Sequence, residues 1–343
     1  MIAACGGKVT TPIETTKPVR ALGLCSGGLD SMLSALVLRR QGIHVEWISF
    51  ETPFFSADKA RQAAAQTGIP LHVEEITDDY LTMLKAPPAG FGKNMNPCMD
   101  CHTLMFRKAG LFMQAQGFDF LFSGEVLGQR PMSQTASSLR YVEKHSGFDG
   151  KILRPLSARR LPETPMERQG IVDRERLLDL YGRSRKPQMA LAAEFGITSY
   201  PTPAGGCLLT DPGFSRRLKE LMDHGDALTA NALHLLQHGR HMRLASGAKL
   251  IIGRNEQENE RIVQYYDPPH DALVKVRNHP GPNVLVPGGG PPPVLLLAAA
   301  ICAGYTKAPK EAPVAVQVET AGGKQTLTVL PITPQESKRF LIL

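Results

Sequence analysis

A chain of 343 residues, 42% of them hydrophobic, has room for two domains with cores of their own. No apolar run reaches the roughly 20 residues that cross a bilayer. The nearest, Val294 to Ala303, is short and follows a proline run, so no membrane partner is expected. The N-terminus lacks a signal-peptide pattern, and a cytoplasmic protein is the expectation. The net charge of +7 permits nucleic acid without demanding it. The excess is partly local: residues 151–186 hold ten Lys or Arg against five Asp or Glu, and residues 236–343 hold twelve against eight. Six cysteines are no disulfide scaffold in a chain of this length. In a reducing compartment, paired cysteines point to catalysis or metal binding.

After a polar leader over residues 1–18, Arg20 to Cys25 reads as a buried strand. A glycine-rich turn follows, then a helix from Ser31 to Gln41 that stops at Gly42. Strands are expected over 44–50, 70–76 and 118–122, with helices over 56–67 and 101–116. This alternation predicts an α/β fold, a doubly wound parallel sheet covered on both faces. From about residue 155 the chain turns basic and loop-rich, with helices predicted over 172–181, 188–195, 216–223 and 227–238. Beyond that, strands over 250–252 and 272–276, a helix over 295–303 and paired strands over 315–319 and 326–330 predict a smaller α+β domain. The boundaries read as 19–225 and 226–343.

Cys25-Ser26-Gly27-Gly28-Leu29-Asp30-Ser31 lies between the first strand and the first helix, where open α/β sheets bind ligands. The glycines let backbone N–H groups approach a phosphate, and the helix N-terminus adds positive potential. Ser26 and Ser31 add hydroxyl donors. Asp30 is out of place beside phosphates unless Mg2+ bridges them. No Gly-Lys-Ser/Thr follows, so the loop is not a Walker motif. It resembles the SGGxDS loop of the ATP pyrophosphatases (PP-loop enzymes), which cleave ATP between the α and β phosphates. That resemblance implies a sheet of the adenine-nucleotide alpha hydrolase type, ATP and Mg2+ as ligands, and Ser26, Gly27, Gly28, Asp30 and Ser31 at the nucleotide.

Asn96-Pro97-Cys98-Met99-Asp100-Cys101-His102 is a C-x-x-C that opens a helix, a setting that favours thiolate. Cys207 follows a glycine-rich turn, which suits a reactive or metal-bound thiol better than a core position. Asp100 and His102 read as accessory ligands or, in preference, as surface capping residues. Cys25 reads as a buried small residue, and Cys5 and Cys302 have no neighbours that suggest chemistry. The set resembles the tRNA thiouridine synthetases: Asn96 to Cys101 is similar to the N-P-C-x-x-C of the 2-thiouridylases, and Cys207 to their persulfide-carrying cysteine. Ser123-Gly124-Glu125-Val126-Leu127-Gly128-Gln129 resembles the G-E-x-L-G-Q of the 4-thiouridine synthetases, which implies Gly124 and Gln129 at the nucleotide.

Two mechanisms remain open. Cys98 and Cys207 act with Asp30 as catalytic residues through a persulfide, or Cys98, Cys101 and Cys207 hold a [4Fe–4S] cluster. The presence of three cysteines favours the cluster.

Leu250-Ile251-Ile252-Gly253-Arg254-Asn255, then Glu258-Asn259-Glu260, Lys275 to Val284 and Tyr305-Thr306-Lys307 resemble the RNA-binding domain of the NFACT proteins. The proline run 291–293 departs from that pattern. The resemblance implies Arg254, Asn255, Lys275, Arg277 and His279 on RNA, where shape and backbone dominate recognition.

The combined expectation is an ATP-dependent tRNA sulfurtransferase making 4-thiouridine or 2-thiouridine. Its expected partners are tRNA and a sulfur donor (a cysteine desulfurase, a carrier protein or sulfide), with a homodimer possible. The alternatives are a PP-loop ligase or sulfurtransferase acting on a small molecule, and a non-catalytic RNA-binding protein.

Overall fold

The computed structural model describes residues 18–202 and 207–342. The expected leader up to residue 17, Cys5 within it, and the glycine turn of residues 203–206 lie outside the described residues. Those described fall into two compact units. The first takes the chain through Glu51, Ser56–Ile76 and Cys98 onward to Thr202. The second takes Thr52–Phe55, Thr77–Pro97 and Cys207 onward.

In chain order the elements begin β1 (Arg20–Leu24), α1 (Leu29–Arg39), β2 (His44–Glu51), α2 (Asp58–Thr67) and β3 (Leu71–Glu75). There follow α3 (Thr77–Lys85), which belongs to the second unit, then α4 (Cys98–Gln116), β4 (Phe120–Ser123), α5 (Ala136–Ser146), β5 (Ile152–Leu153), α6 (Pro165–Arg168) and α7 (Lys186–Glu194). The strands form one parallel sheet in the order β3-β2-β1-β4-β5. β1 pairs on both edges, which is why its apolar run is continuous rather than alternating. Leu22, Trp47, Phe120 and Phe122 are fully buried there. The parallel α/β sheet read from the sequence is the fold of this unit.

The helix expected over 172–181 does not form. Only a 3-10 turn, Arg174–Arg176, interrupts an extended segment. The Leu178 and Leu180 N–H groups donate to the Pro155 and Leu156 carbonyls, and Tyr181 bridges Leu127. A tertiary partner thus takes the backbone groups that a helix would have paired internally. The helix expected over 227–238 is shorter, Ala230–Leu235.

The second unit continues with α8 (Pro212–Asp223), α9 (Ala230–Leu235), β6 (Arg240–Arg243), β7 (Lys249–Ile252), α10 (Glu256–Gln264), β8 (Ala272–Val276) and β9 (Val284–Val286). It closes with α11 (Pro292–Gly304), β10 (Val314–Thr320), β11 (Gly323–Val329) and α12 (Pro334–Ser337). Its sheet is antiparallel, in the order β11-β10-β8-β9-β7-β6. Helix α11 buries Ala298, Ala299, Ile301 and Cys302 against Val274, Val284, Val316 and Val318. The unusual proline run starts this helix: Pro291 is its N-cap and prolines fill its first two positions, where no intrahelical N–H is needed. Within the same unit Phe54 packs on Tyr80 of α3 and Phe214 of α8, with ring centroids 5.2 and 6.1 Å away.

Candidate functional site: a phosphate loop and a cysteine helix

In the order β3-β2-β1-β4-β5 the chain leaves β1 toward β2, then returns to lay β4 on the other side of β1. The switch point of the sheet is therefore between β1 and β4. Both segments singled out from the sequence, residues 25–31 after β1 and 123–129 after β4, lie beyond the carboxyl ends of those two strands.

The loop is closely packed. Gly27 has φ +70°, and a Cβ there would sit 2.1 Å from the Lys59 carbonyl carbon of α2. The Ser26 N–H donates to Ser31 Oγ (3.3 Å), and the two hydroxyl oxygens are 3.1 Å apart. No side chain caps the N-terminus of α1, so its first N–H groups remain for a ligand. Gly124 lies against the first turn of α1, where a Cβ would be 2.4 Å from the Asp30 carbonyl carbon. Only a glycine lets β4 end this close to the loop.

Gln129 Nε2 donates to Asp30 Oδ2 (3.1 Å) across 99 residues of sequence. Asp30 Oδ1 is buried, and the Gln188 amide lies close by. Burial pushes the Asp30 carboxyl up, against the Gln129 bond and the charges of Arg185 and Arg130, which favour the carboxylate. Arg130, Arg185 and Gln188 were not found by sequence reasoning. Arg130 follows Gln129 directly and could have been found; Gln188 gives no signal in a helix of mixed composition. A buried carboxylate bonded by amides alone, beside hydroxyls and free helix N–H groups, fits a divalent cation held with phosphates.

Cys98 and Cys101 occupy the first turn of α4, both partly exposed. Asp100 is not a surface cap as expected; it is 4% exposed and faces Tyr141 of α5, whose phenol it helps to hold protonated after burial itself. His102 is likewise no cap. Its Nδ1 lies 3.1 Å from Glu125 Oε1. Ser123 Oγ and Arg154 Nε each donate to Glu125 Oε2 at 3.0 Å, and Arg154 Nη1 reaches Glu143 at 3.2 Å. One carboxylate thus ties the segment beside the phosphate loop to the helix that carries the cysteines. Burial alone would raise the Glu125 carboxyl; the Arg154 charge and the His102 bond outweigh it and hold it at about 2.

A carboxyl lowered by folding stabilises above its unfolded value, near 4.5, and loses that contribution as the pH falls toward 2. Glu46 and Glu258 also lie at about 2 and act in the same direction. Thermal denaturation from pH 7 to 2.5 is therefore expected to show stability falling below about pH 5. Glu125→Gln should flatten part of that slope, and an unchanged slope would sever Glu125 from it.

In the second unit Cys207 is exposed, and its Sγ lies 3.9 Å from Asn96 Oδ1. Asn94 Nδ2 also donates to the Thr210 carbonyl (2.8 Å), so residues 94–96 and the segment from Cys207 to Thr210 are joined. Cys25 and Cys302 are buried, and burial pushes both thiols up to about 12, which fits inert core positions. Among the described residues no set of three or more His, Cys, Asp or Glu side chains is gathered as a metal site.

The candidate RNA residues divide into two groups. Arg254 is held by Glu258 through its backbone N–H and its guanidinium (2.9 Å). Asn255 caps α10 by accepting from the Glu258 N–H (2.9 Å). Asn259 accepts the Asn283 N–H (2.8 Å) and donates to Gly281 O (3.3 Å). These residues lock the loop before α10 to the stretch before β9. Lys275 and Arg277 are exposed, and His279 is half-buried.

A glycine loop at the switch point of a parallel sheet, with an open helix N-terminus and a buried carboxylate, defines the first unit as a nucleotide-binding α/β domain of the PP-loop type. A family model described as Thiamine biosynthesis protein (ThiI) matches residues 17–188, and one described as NFACT protein RNA binding domain matches residues 239–341. The chain belongs to the ThiI family and carries an NFACT-type RNA-binding domain behind it. It is 29% identical over 177 residues to a probable tRNA sulfurtransferase of Caldanaerobacter subterraneus subsp. tengcongensis, a stretch covering 49% of this chain and 43% of the relative. A probable tRNA sulfurtransferase of Acholeplasma laidlawii is 29% identical over 143 residues, covering 40% and 34%. The chain spans less than half the length of these curated relatives. Among solved structures, NMN synthetase from Francisella tularensis is similar with a TM-score of 0.33 and 15% identity, covering 64% of this chain and 85% of that one.

Proposed function

We propose that this protein activates a carbonyl oxygen of a tRNA uridine with ATP and replaces that oxygen with sulfur carried on its cysteines. The reading rests on one observation above all: among the described residues the Asp30 carboxylate is buried beside the phosphate loop with amides alone bonded to it, Gln129 on Oδ2 and Gln188 close by, as a site built for a cation and phosphates would hold it. Family membership and relatives named as tRNA sulfurtransferases support the substrate.

The loop N–H groups, Ser26 and Ser31 hold the phosphates, and Asp30 Oδ1 holds Mg2+, which when bound neutralises charge on them. The uridine oxygen attacks the α-phosphorus; the α–β P–O bond breaks and pyrophosphate leaves. The terminal sulfur of a Cys207 persulfide then attacks the activated carbon, and the C–O bond breaks with loss of AMP. A thiolate of the C-x-x-C pair attacks Cys207 Sγ, releasing the thiouridine and leaving a disulfide. An external dithiol reduces that disulfide, and a sulfur donor reloads Cys207.

Incubating the enzyme with tRNA, Mg·ATP and a persulfide donor should yield thiouridine with matching AMP and pyrophosphate, read by nucleoside mass spectrometry. Its position on the ring, C2 or C4, is read in the same spectrum. Pyrophosphate release without tRNA thiolation would sink the proposal in favour of a small-molecule substrate. Iron analysis of anaerobically purified protein tests the [4Fe–4S] alternative: activity without iron supports the persulfide.

For the RNA contacts we propose Lys275, Arg277 and His279 on phosphates, with Arg254 and Asn255 shaping the loop beside them. Lys275→Glu and Arg277→Glu should each weaken tRNA binding about tenfold and lower the salt slope by roughly one. Filter binding across a salt series checks this, and unchanged slopes would move the RNA elsewhere.

A further inference from the structure

Helix α8 precedes the RNA-binding match, which begins at residue 239, yet it is built onto the sheet of that domain. Glu220 of α8 accepts from Lys249 Nζ of β7 (2.8 Å) and from Arg243 Nε of β6. Arg217, one turn earlier, is half-buried. Its Nη1 reaches the Gly239 carbonyl only at 3.4 Å, and its Nε is buried with no acceptor among the described residues. Burial works against its charge; Asp211 and Glu258 favour that charge, and Arg254 and Arg216 oppose it. Both carboxylates are engaged elsewhere: Glu258 holds Arg254, and Asp211 accepts the Phe214 N–H as the cap of α8. A half-buried guanidinium short of acceptors and crowded by two others favours an added anion.

Three rings lie nearly parallel beside it. Tyr265 stacks on His234 with centroids 5.1 Å apart at 9°, and on His238 at 6.4 Å and 14°. All three are half-buried, and burial lowers both imidazoles, which leaves them uncharged at pH 7. His238 lies within the field of Arg217, so the stack and the arginine adjoin. Unpaired RNA uses such a pairing of elements, bases on rings and phosphates on cations. An acidic protein would pair with the arginines but has no use for the rings. The patch is also continuous with the loop proposed above for RNA. Glu258 holds Arg254, and its neighbour Asn259 bonds Gly281 and Asn283.

We propose that Arg217, with the exposed Arg216 beside it, takes a phosphate of unpaired tRNA, and that an adjoining base stacks on the Tyr265–His234 rings. The inference rests on the RNA reading above and extends it to Arg216, Arg217 and His234, which lie outside both family matches.

The test uses the full chain and filter binding of tRNA across a salt series. Arg217→Met keeps the packed stem and removes the charge. Binding should weaken about fivefold and the salt slope should fall by roughly one, with the melting temperature within about 2 °C of the parent. Arg217→Lys should restore the slope. If Arg217→Met melts more than about 5 °C below the parent, Arg216→Gln decides, since that side chain is exposed; it should lower the slope by the same amount. Tyr265→Leu should weaken binding at least about fivefold with the slope unchanged, and Tyr265→Phe should restore it. Affinity within twofold in Tyr265→Leu would overturn the stacking. Unchanged slopes in Arg217→Met and Arg216→Gln would overturn the phosphate contact and leave the patch to an acidic protein. If Lys275→Glu lowers the slope while both of these variants do not, this inference fails and the RNA reading stands. If the parent does not bind tRNA, the RNA reading falls and this inference with it.

Discussion

On the proposed mechanism the Cys207 sulfur is the atom that carries the transferred sulfur, so Cys207→Ala is expected to lower thiouridine formation by about a thousandfold or more. Mg·ATP affinity should stay within twofold. The side chain is exposed, so removing one atom there should change stability by no more than about 0.5 kcal/mol. The measurement is nucleoside mass spectrometry alongside pyrophosphate release. The informative result is a split: adenylation persists while thiolation stops. Cys98→Ser and Cys101→Ser extend the test. If one of these thiols resolves the intermediate, its loss should trap tRNA on Cys207 as a mixed disulfide that dithiothreitol releases. Thiolation near the parent level in Cys207→Ala would remove the cysteine from the chemistry and leave a ligase that merely shares the phosphate loop.

Glu125→Leu carries the largest expected loss of stability. Arg154 is 4% exposed along its side chain and gives its Nε to Glu125. Removing one member of a buried pair leaves the other charge dehydrated, which costs about 3 kcal/mol at the low end of the usual range. The low end applies because Arg154 keeps Glu143 and the Leu139 carbonyl. A cost of that size should lower the melting temperature of the first unit by roughly 6–12 °C. With two compact units the unfolding need not be a single step, so the first transition is the one to follow. Adding Arg154→Met should recover part of the loss, since no bare charge then remains. Loss below about 1 kcal/mol in the single variant would show that the guanidinium finds other partners. The same variant frees His102 from its carboxylate, so cysteine alkylation at α4 should change along with stability.

Much of the nucleotide site could be read directly. A buried apolar run, then two glycines flanked by hydroxyls, then a helix with Asp30 in its first turn, is local information, and the fold places it where the pattern predicted. Local reasoning failed where a distant segment supplied the partners. Val172 to Tyr181 has helical spacing of apolar residues, but the carbonyls of Pro155 and Leu156 take its N–H groups instead. Asp100 and His102 looked like polar residues at a helix start; in the fold one is buried against α5 and the other is held by Glu125. Arg254 also bonds Glu258, four residues on, a local pair that the sequence reading did not draw.

The sequence by itself determined the parallel α/β class, the glycine loop between β1 and α1, the helix that opens on two cysteines, and the basic module that follows. These rest on periodicity and on chemistry within a few residues. Only the tertiary structure decided that Gln129 bonds Asp30, that Gly124 touches the first turn of α1, that Arg154 and His102 share Glu125, and that Gln188 lies buried beside Asp30. The physical reason is the strand order. β4 returns to the edge of β1 after a long excursion, so residues about a hundred positions apart meet at one switch point, and no local pattern encodes which of them will do so.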